Sequence, residues 1–251
     1  MIRKNAAMDV TAPAFRPDPS SGRVYAARRF VRSTDVTPSG RLRLDALARY
    51  LQTAAEDDLA DSGALDPAAV WLVRRCEVVV RGFPVMSDRL ELRTFCSGTG
   101  PRWAERITTV SGPAGELQAS AVWACVSRET GRPVAPGEEF LRVYGESAAG
   151  NSVSARLSLP RPADGAIGRS WPLRAADFDT AGHVNNAVTW AAVEDVLAEV
   201  GWLPGCATVE YHRAILPGCE PRLVTAPDAA GALMWLVTDG HVLAAARLNR
   251  G

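Results

Sequence analysis

The run Asp177-Phe178-Asp179-Thr180-Ala181-Gly182-His183-Val184-Asn185-Asn186 decides how this chain is read. It sets a carboxylate, an imidazole and two amides immediately ahead of a helical pattern. Asp179 and His183 stand four residues apart across a glycine, so a turn there can bring both side chains together to hold and polarise a water. From Ala187 to Val200 apolar residues recur at Val188, Ala191, Ala192, Val196 and Val200, with acids at Glu194, Asp195 and Glu199. That is the period of a helix with one buried face. Asn185 or Asn186 is its N-cap, which leaves the amides of the first turn pointing toward Gly182 and His183. Such amides, with the helix dipole behind them, suit a carbonyl oxygen that gains negative charge during attack. The plainer reading is a turn whose acid caps the chain and whose ring lies at the surface.

An internal repeat weighs against the plainer reading. The segment from Thr34 to Leu44, followed by Asp45 to Ala55, echoes the later run when Gly40 is laid on Gly182. Each copy is an extended segment, a glycine turn and a long amphipathic helix. Strand-like runs follow the first copy at Cys76 to Val80, Arg89 to Phe95, Arg102 to Val110 and Leu117 to Val126. They follow the second at Ala207 to Ile215, Arg222 to Thr225, Ala232 to Thr238 and Val242 to Leu248. Two copies of one long helix with an antiparallel sheet make an α+β fold. Under the overlay Asp179 faces Thr37, His183 faces Arg41 and Asn185 faces Arg43, so only the second copy carries the reactive set. The expected layout is a mobile tail over 1–22, a supportive unit over 23–145, a Gly-, Ser-, Ala- and Pro-rich linker over 146–164, and a catalytic unit over 165–251.

Composition narrows the function. Of 251 residues 47% are hydrophobic, enough for a substantial core. Basic and acidic residues balance at 28 each, which gives no support to nucleic-acid binding. No apolar run is long enough for a membrane span, and the N-terminal stretch lacks the apolar centre of a signal peptide, so a cytoplasmic location is expected. Cys76, Cys96, Cys125, Cys206 and Cys219 form no Cys-x-x-Cys pair, and an odd count argues against a disulfide framework. His212 and His241 have no ligand spacing around them, so no metal site is read. Ser97-Gly98-Thr99-Gly100 lacks the lysine and helix of a phosphate loop and reads as a strand bend. No cofactor motif is present.

Further marks accumulate: Trp71, Arg74, the turn from Phe83 to Asp88, Ala121-Val122-Trp123, Thr130-Gly131-Arg132-Pro133, His183-Val184-Asn185-Asn186 and Val209-Glu210-Tyr211-His212-Arg213. On these the chain, over about residues 23 to 249, resembles the bacterial and plant acyl-acyl-carrier-protein (acyl-ACP) thioesterase family. The resemblance implies a tandem (double) hot-dog, each unit a long helix wrapped by an antiparallel β-sheet. It also implies hydrolysis of fatty acyl thioesters in fatty acid biosynthesis, acyl-ACP before acyl-CoA, with release of free fatty acid. An acyl-CoA thioesterase and a catalytically impaired acyl-thioester-binding protein are the alternatives. By family likeness Asp179 is the main catalytic carboxylate and His183 its partner. Plant members place an Asn two residues after that Asp and a Glu on the following strand. Here those positions are Ala181 and Ala214, and Ile215 stands where a catalytic Cys was once placed. The acyl tunnel would be lined by residues such as Leu47, Tyr50, Leu51, Ala54, Trp71 and Val73. The acidic carrier would meet arginines such as Arg28, Arg29, Arg32, Arg41, Arg43, Arg74, Arg75 and Arg81. A monomer or a homodimer fits the two-unit chain.

A thioester expels a thiolate whose conjugate thiol has a pKa near 8.5 in the reference case of cysteine, so no strong acid is demanded. Asp179 serves as general base or nucleophile, and His183 orients water or polarises the carbonyl. The N–H groups near Gly182 and His183 are the expected oxyanion hole, at about 3 kcal/mol per donor. Asn185 and Asn186 either support the site or cap the helix. Glu194 and Asp195 are solvated helix acids or an additional acid at the site, and Glu210 reads as a paired surface acid.

Overall fold

A computed structural model describes residues 15–251. In chain order the elements are β1 (Tyr25–Phe30), α1 (Leu44–Ser62), β2 (Ala69–Val80), β3 (Arg89–Gly100), β4 (Trp103–Ser111), β5 (Glu116–Ser127), α2 (Glu138–Ala148), β6 (Arg169–Ser170), α3 (Asn186–Val200), β7 (Pro204–Tyr211), β8 (Arg222–Asp228), β9 (Gly231–Thr238) and β10 (His241–Arg250). The strands form one antiparallel sheet in the order β1-β3-β4-β5-β2-β7-β10-β9-β8-β6. Its centre is the β2–β7 pairing, with Cys76 opposite Val209 and Val78 opposite Ala207, so backbone hydrogen bonds run unbroken from one half into the other. The double hot-dog follows: two long helices against one continuous sheet.

Both long helices end on a left-handed glycine, Gly63 after α1 and Gly201 after α3, each with φ near 70°. Leu44, Leu47, Leu51, Ala54 and Asp58 are buried along α1, at spacings of three and four that make one stripe. On α3 the buried residues are Ala187, Thr189, Trp190, Ala192, Val193, Val196 and Leu197. The stripe is rotated from the one expected, because the indole of Trp190 takes the core position and leaves Val200 exposed. The two stripes share a single core with Leu90, Leu92, Val110, Leu117, Met234, Leu236 and Leu248 from the sheet. Each fully buried aliphatic side chain there contributes roughly 1.5–3 kcal/mol. The shared core therefore joins the halves alongside the strand pairing.

Several segments depart from expectation. Helix α2 was not foreseen; its residues Phe140, Tyr144 and Ala148 fall on one face and cover Cys96 and Ala104. The expected linker thus begins inside a helix. Its later part is tied down by Glu210, which is fully buried rather than a surface acid and accepts the N–H groups of Ser158 and Leu159 at 2.7 and 3.1 Å. Residues 1–14 of the expected tail lie outside the described residues. Residues 15–22 are docked on the first-half sheet: Arg16 pairs with Glu105 at 2.7 Å, and Asp18 with Arg93 at 2.6 Å. The run expected as a strand to Ile215 ends at Tyr211, because the N–H groups of His212 and Arg213 both turn onto the Leu243 carbonyl.

Candidate active site

The two glycine turns are built alike, bond for bond. In the second, Asp179 N–H donates to the His183 carbonyl at 2.8 Å, Gly182 N–H donates to the Asp179 carbonyl at 3.0 Å, and Gly182 has φ 74°. In the first, Thr37 N–H donates to the Arg41 carbonyl at 2.8 Å, Gly40 N–H donates to the Thr37 carbonyl at 2.9 Å, and Gly40 has φ 85°. The side chain at the first turn position also plays one part in both. Thr37 Oγ1 accepts Arg41 N–H at 3.3 Å, and Asp179 Oδ1 accepts His183 N–H at 3.4 Å. Asp179 Oδ1 takes a second bond, from Ala181 N–H at 2.9 Å. The Asp179 carboxylate is thus held by one oxygen, and Oδ2 makes no hydrogen bond among the described residues.

Beside the second turn opens a cavity of about 700 Å3. Asp179, Thr180, Ala181 and Asn186 reach it from the C-terminal half. The N-terminal half supplies Gln52, Ala55, Glu56 and Leu59 from α1, Trp71 from β2, Arg106 from β4 and Phe140 from α2. The far wall is apolar and aromatic, with the rings of Trp71 and Phe140 4.6 Å apart. Under the wall, Asp58 is fully buried, its charge balanced by Arg23 and Arg106, each at 2.6 Å, and it accepts a hydrogen bond from the Tyr144 hydroxyl at 3.0 Å. The charge of Asp58 is therefore paired internally, while Glu56, Asp66, Arg128, Glu138 and Glu139 line other parts of the cavity.

Of the residues expected around the acyl chain, Trp71 lines this cavity. Leu47, Leu51, Ala54 and Val73 instead pack in the main core, and the Tyr50 hydroxyl donates to Asp35 at 2.6 Å. One helical step is about 100°, so the stripe one residue further on, at Gln52, Ala55, Glu56 and Leu59, is the one that turns to the cavity. Among the described residues the His183 ring is half-exposed, makes no hydrogen bond and does not line the cavity. Asn185 is the N-cap of α3: its Oδ1 accepts Ala187 N–H at 2.9 Å, and its Nδ2 donates to Gln52 Oε1 at 3.4 Å. The N–H groups of Gly182 and His183, expected as oxyanion donors, are both committed inside the turn.

Glu194 and Asp195 do not reach the cavity. Glu194 Oε1 accepts Leu44 N–H at 2.6 Å at the start of α1, and its other oxygen meets Arg41 at 2.5 Å. Asp195 accepts the Trp171 indole N–H at 3.0 Å at the surface. The arginines expected for the carrier are largely engaged: Arg41 with Glu194, Arg43 with Asp45, Arg29 with Asp57, and Arg74 with the Tyr211 carbonyl. Ala214 and Ile215 border the second turn, since Val184 N–H donates to the Ile215 carbonyl at 2.9 Å. Cys96 and Cys125 line the cavity, and burial raises both thiols above their ordinary pKa, which keeps them protonated and poorly nucleophilic. The signal for Gln52 and Glu56 was available in the sequence only as an α1 stripe, without the partner across the seam.

Comparison with known proteins agrees with this architecture. Residues 22–144 match the model of the acyl-ACP thioesterase N-terminal domain. An uncharacterized protein of Mycobacterium tuberculosis is 29% identical over 237 residues, covering 92% of this chain and 94% of that protein. A chloroplastic acyl-[acyl-carrier-protein] hydrolase of Cuphea viscosissima is 28% identical over 171 residues, covering 63% of this chain and 41% of that protein. Among solved structures, the 12:0-ACP thioesterase from Umbellularia californica superposes with a TM-score of 0.75 at 20% identity, over 90% of this chain and 96% of that one. An acyl-ACP thioesterase from Bacteroides thetaiotaomicron superposes at 0.76 and 15% identity, over 90% and 97%. The fold is a double hot-dog, and the family match over residues 22–144 supports a thioester hydrolase. Residues 22–144 match an acyl-ACP thioesterase N-terminal domain, and over its length the chain shares the fold of solved acyl-ACP thioesterases.

Proposed function

We propose that the chain hydrolyses fatty acyl thioesters carried on acyl carrier protein and releases the free fatty acid. The observation that carries this reading is the single cavity in which an aromatic, apolar wall from one half meets the Asp179 carboxylate from the other. An acyl chain buries its methylenes against Trp71, Phe140, Leu59 and Ala104, at roughly 0.8 kcal/mol per buried methylene. Its thioester then lies at the mouth, beside Asp179. The free Oδ2 takes a proton from water as the water oxygen bonds to the carbonyl carbon; the C–S bond breaks, and the thiolate leaves. His183, beside the turn and outside the cavity wall, plays the lesser part of steering water or returning a proton. Two backbone N–H bonds hold Asp179 in place without consuming the reacting oxygen.

The test is thiol release from octanoyl, palmitoyl and oleoyl thioesters on both acyl carrier protein and coenzyme A, with Asp179→Asn beside the parent. The Asn carbonyl oxygen can still accept from Ala181 and His183, so the turn is kept while the base is lost. The expected result is carrier-protein preference and a fall in kcat of about 10²–10⁴-fold in the variant. A variant as active as the parent overturns the assignment of Asp179, and equal or better turnover of the coenzyme A esters overturns the carrier.

A further inference from the structure

The supportive half displays what the reactive half lacks. At the start of α1, Leu44 N–H donates to Glu194 Oε1 at 2.6 Å, so a carboxylate oxygen of the chain itself sits on the first amide of that helix. In the overlay of Gly40 on Gly182, Leu44 falls on Asn186 and Gln52 falls on Glu194. The corresponding pair is therefore Asn186 N–H, at the start of α3, and Gln52, reaching over from α1. Among the described residues Asn186 N–H makes no hydrogen bond, while Ala187 N–H and Val188 N–H are satisfied by Asn185. Asn186 and Gln52 both line the cavity that holds Asp179.

The Gln52 carboxamide is oriented by its neighbours. Asn185 Oδ1 is taken by Ala187 N–H, so Asn185 Nδ2 must donate, and Gln52 turns its oxygen to receive it at 3.4 Å. Gln52 Nε2 then donates one hydrogen to Glu56 Oε1 at 3.0 Å. An amide nitrogen carries two hydrogens, so one N–H of Gln52 is left over at the cavity surface. We propose that this N–H and Asn186 N–H form the oxyanion hole, and that Gln52 is a catalytic residue which donates to the thioester carbonyl oxygen as it becomes negative. The place that Glu194 fills on α1 is left open on α3 for the oxyanion of the substrate. Glu56 is the positioning residue that fixes the rotamer of Gln52.

The inference rests on the thioesterase reading, and the experiment separates the two. Gln52→Met keeps the length and removes the donor. Thiol release gives kcat and KM for the parent, Gln52→Met and Asp179→Asn. Direct binding gives Kd for an acyl thioether analogue in which a methylene replaces the carbonyl. The expected result for Gln52→Met is a fall in kcat of about 10²–10³-fold with the Kd of the thioether unchanged, as for loss of one oxyanion donor. A Gln52→Met enzyme with the kcat of the parent overturns the proposal, and so does a fall in kcat matched by an equal loss of thioether affinity, which marks a packing role. A parent that needs Asp179 but not Gln52 removes this inference alone, and a parent that releases no thiol removes both readings.

Discussion

Replacing Glu194 with Ala tests how the halves are clasped. The carboxylate receives two bonds from Arg41, at 3.1 and 2.5 Å, and one from Leu44 N–H at 2.6 Å. Its side chain is 11% exposed and that of Arg41 13%, so removing one partner strands a mostly buried guanidinium. Removing one member of such a pair costs about 3–5 kcal/mol, and the residual exposure places this case at about 3. At about 2–4 °C per kcal/mol for a chain of this size, Tm should fall by roughly 6–12 °C. Changing Arg41 and Glu194 together to Met removes the stranded charge and leaves chiefly the Leu44 amide uncapped, at about 1 kcal/mol. The double variant should thus be more stable than Glu194→Ala alone. Calorimetry and urea unfolding of the parent, Arg41→Met, Glu194→Met and the double give the coupling directly. A Glu194→Ala protein that melts with the parent, or losses that simply add, would refute the clasp.

Two further outcomes are expected. Burial alone would raise the Asp45 carboxyl, and Arg43 and Arg49 more than offset it; burial would likewise raise Glu105, and Arg16, Ser97 and Ser120 more than offset it, so both stand below the ordinary carboxylate range. A depressed folded pKa gives stability that is present above the unfolded value near 4 and lost as pH falls through the folded one, so the Asp45→Asn, Glu105→Gln protein should lose less stability than the parent between about pH 7 and about pH 3 in urea titrations; an equal loss would count against it. Trp71→Ala deepens the apolar wall beside Phe140 and should shift the best substrate toward longer acyl chains, read as kcat/KM across an octanoyl-to-oleoyl series; an unchanged optimum would place the chain elsewhere.

The repeat was legible because it is local. A glycine with positive φ, an oxygen-bearing side chain three residues earlier and a periodic helix after it are written into Thr37–Gly40 and Asp179–Gly182, and both turns close with the same bonds. The strands were legible as apolar runs, and the bend at Ser97–Gly100 through its two glycines, where the ladder shifts register between Cys96 and Gly98. What escaped depends on partners distant in sequence. The face of α1 that meets the cavity is set by where the Asp179 turn arrives, not by its own periodicity, so the acyl wall was placed one helical step away, at Leu47, Leu51 and Ala54. Glu210 was read as a surface acid because its two amide donors come from Ser158 and Leu159, in a stretch with no period of its own. Helix α2 did carry a signal, Phe140, Tyr144 and Ala148 at intervals of four after Pro136-Gly137, which the abundance of small residues around it obscured.

The β2–β7 seam sets the terms on which this molecule can change. In an assembly of two identical chains, any substitution at one turn appears at the other, and both must remain serviceable. Here the two turns stand side by side in one polypeptide, so Arg41 and Glu194 can seal the start of α1 while Asn185 and Gln52 meet at the start of α3. The result is a pseudosymmetric body whose two turns can diverge independently, so that only one of them carries a carboxylate at its first position.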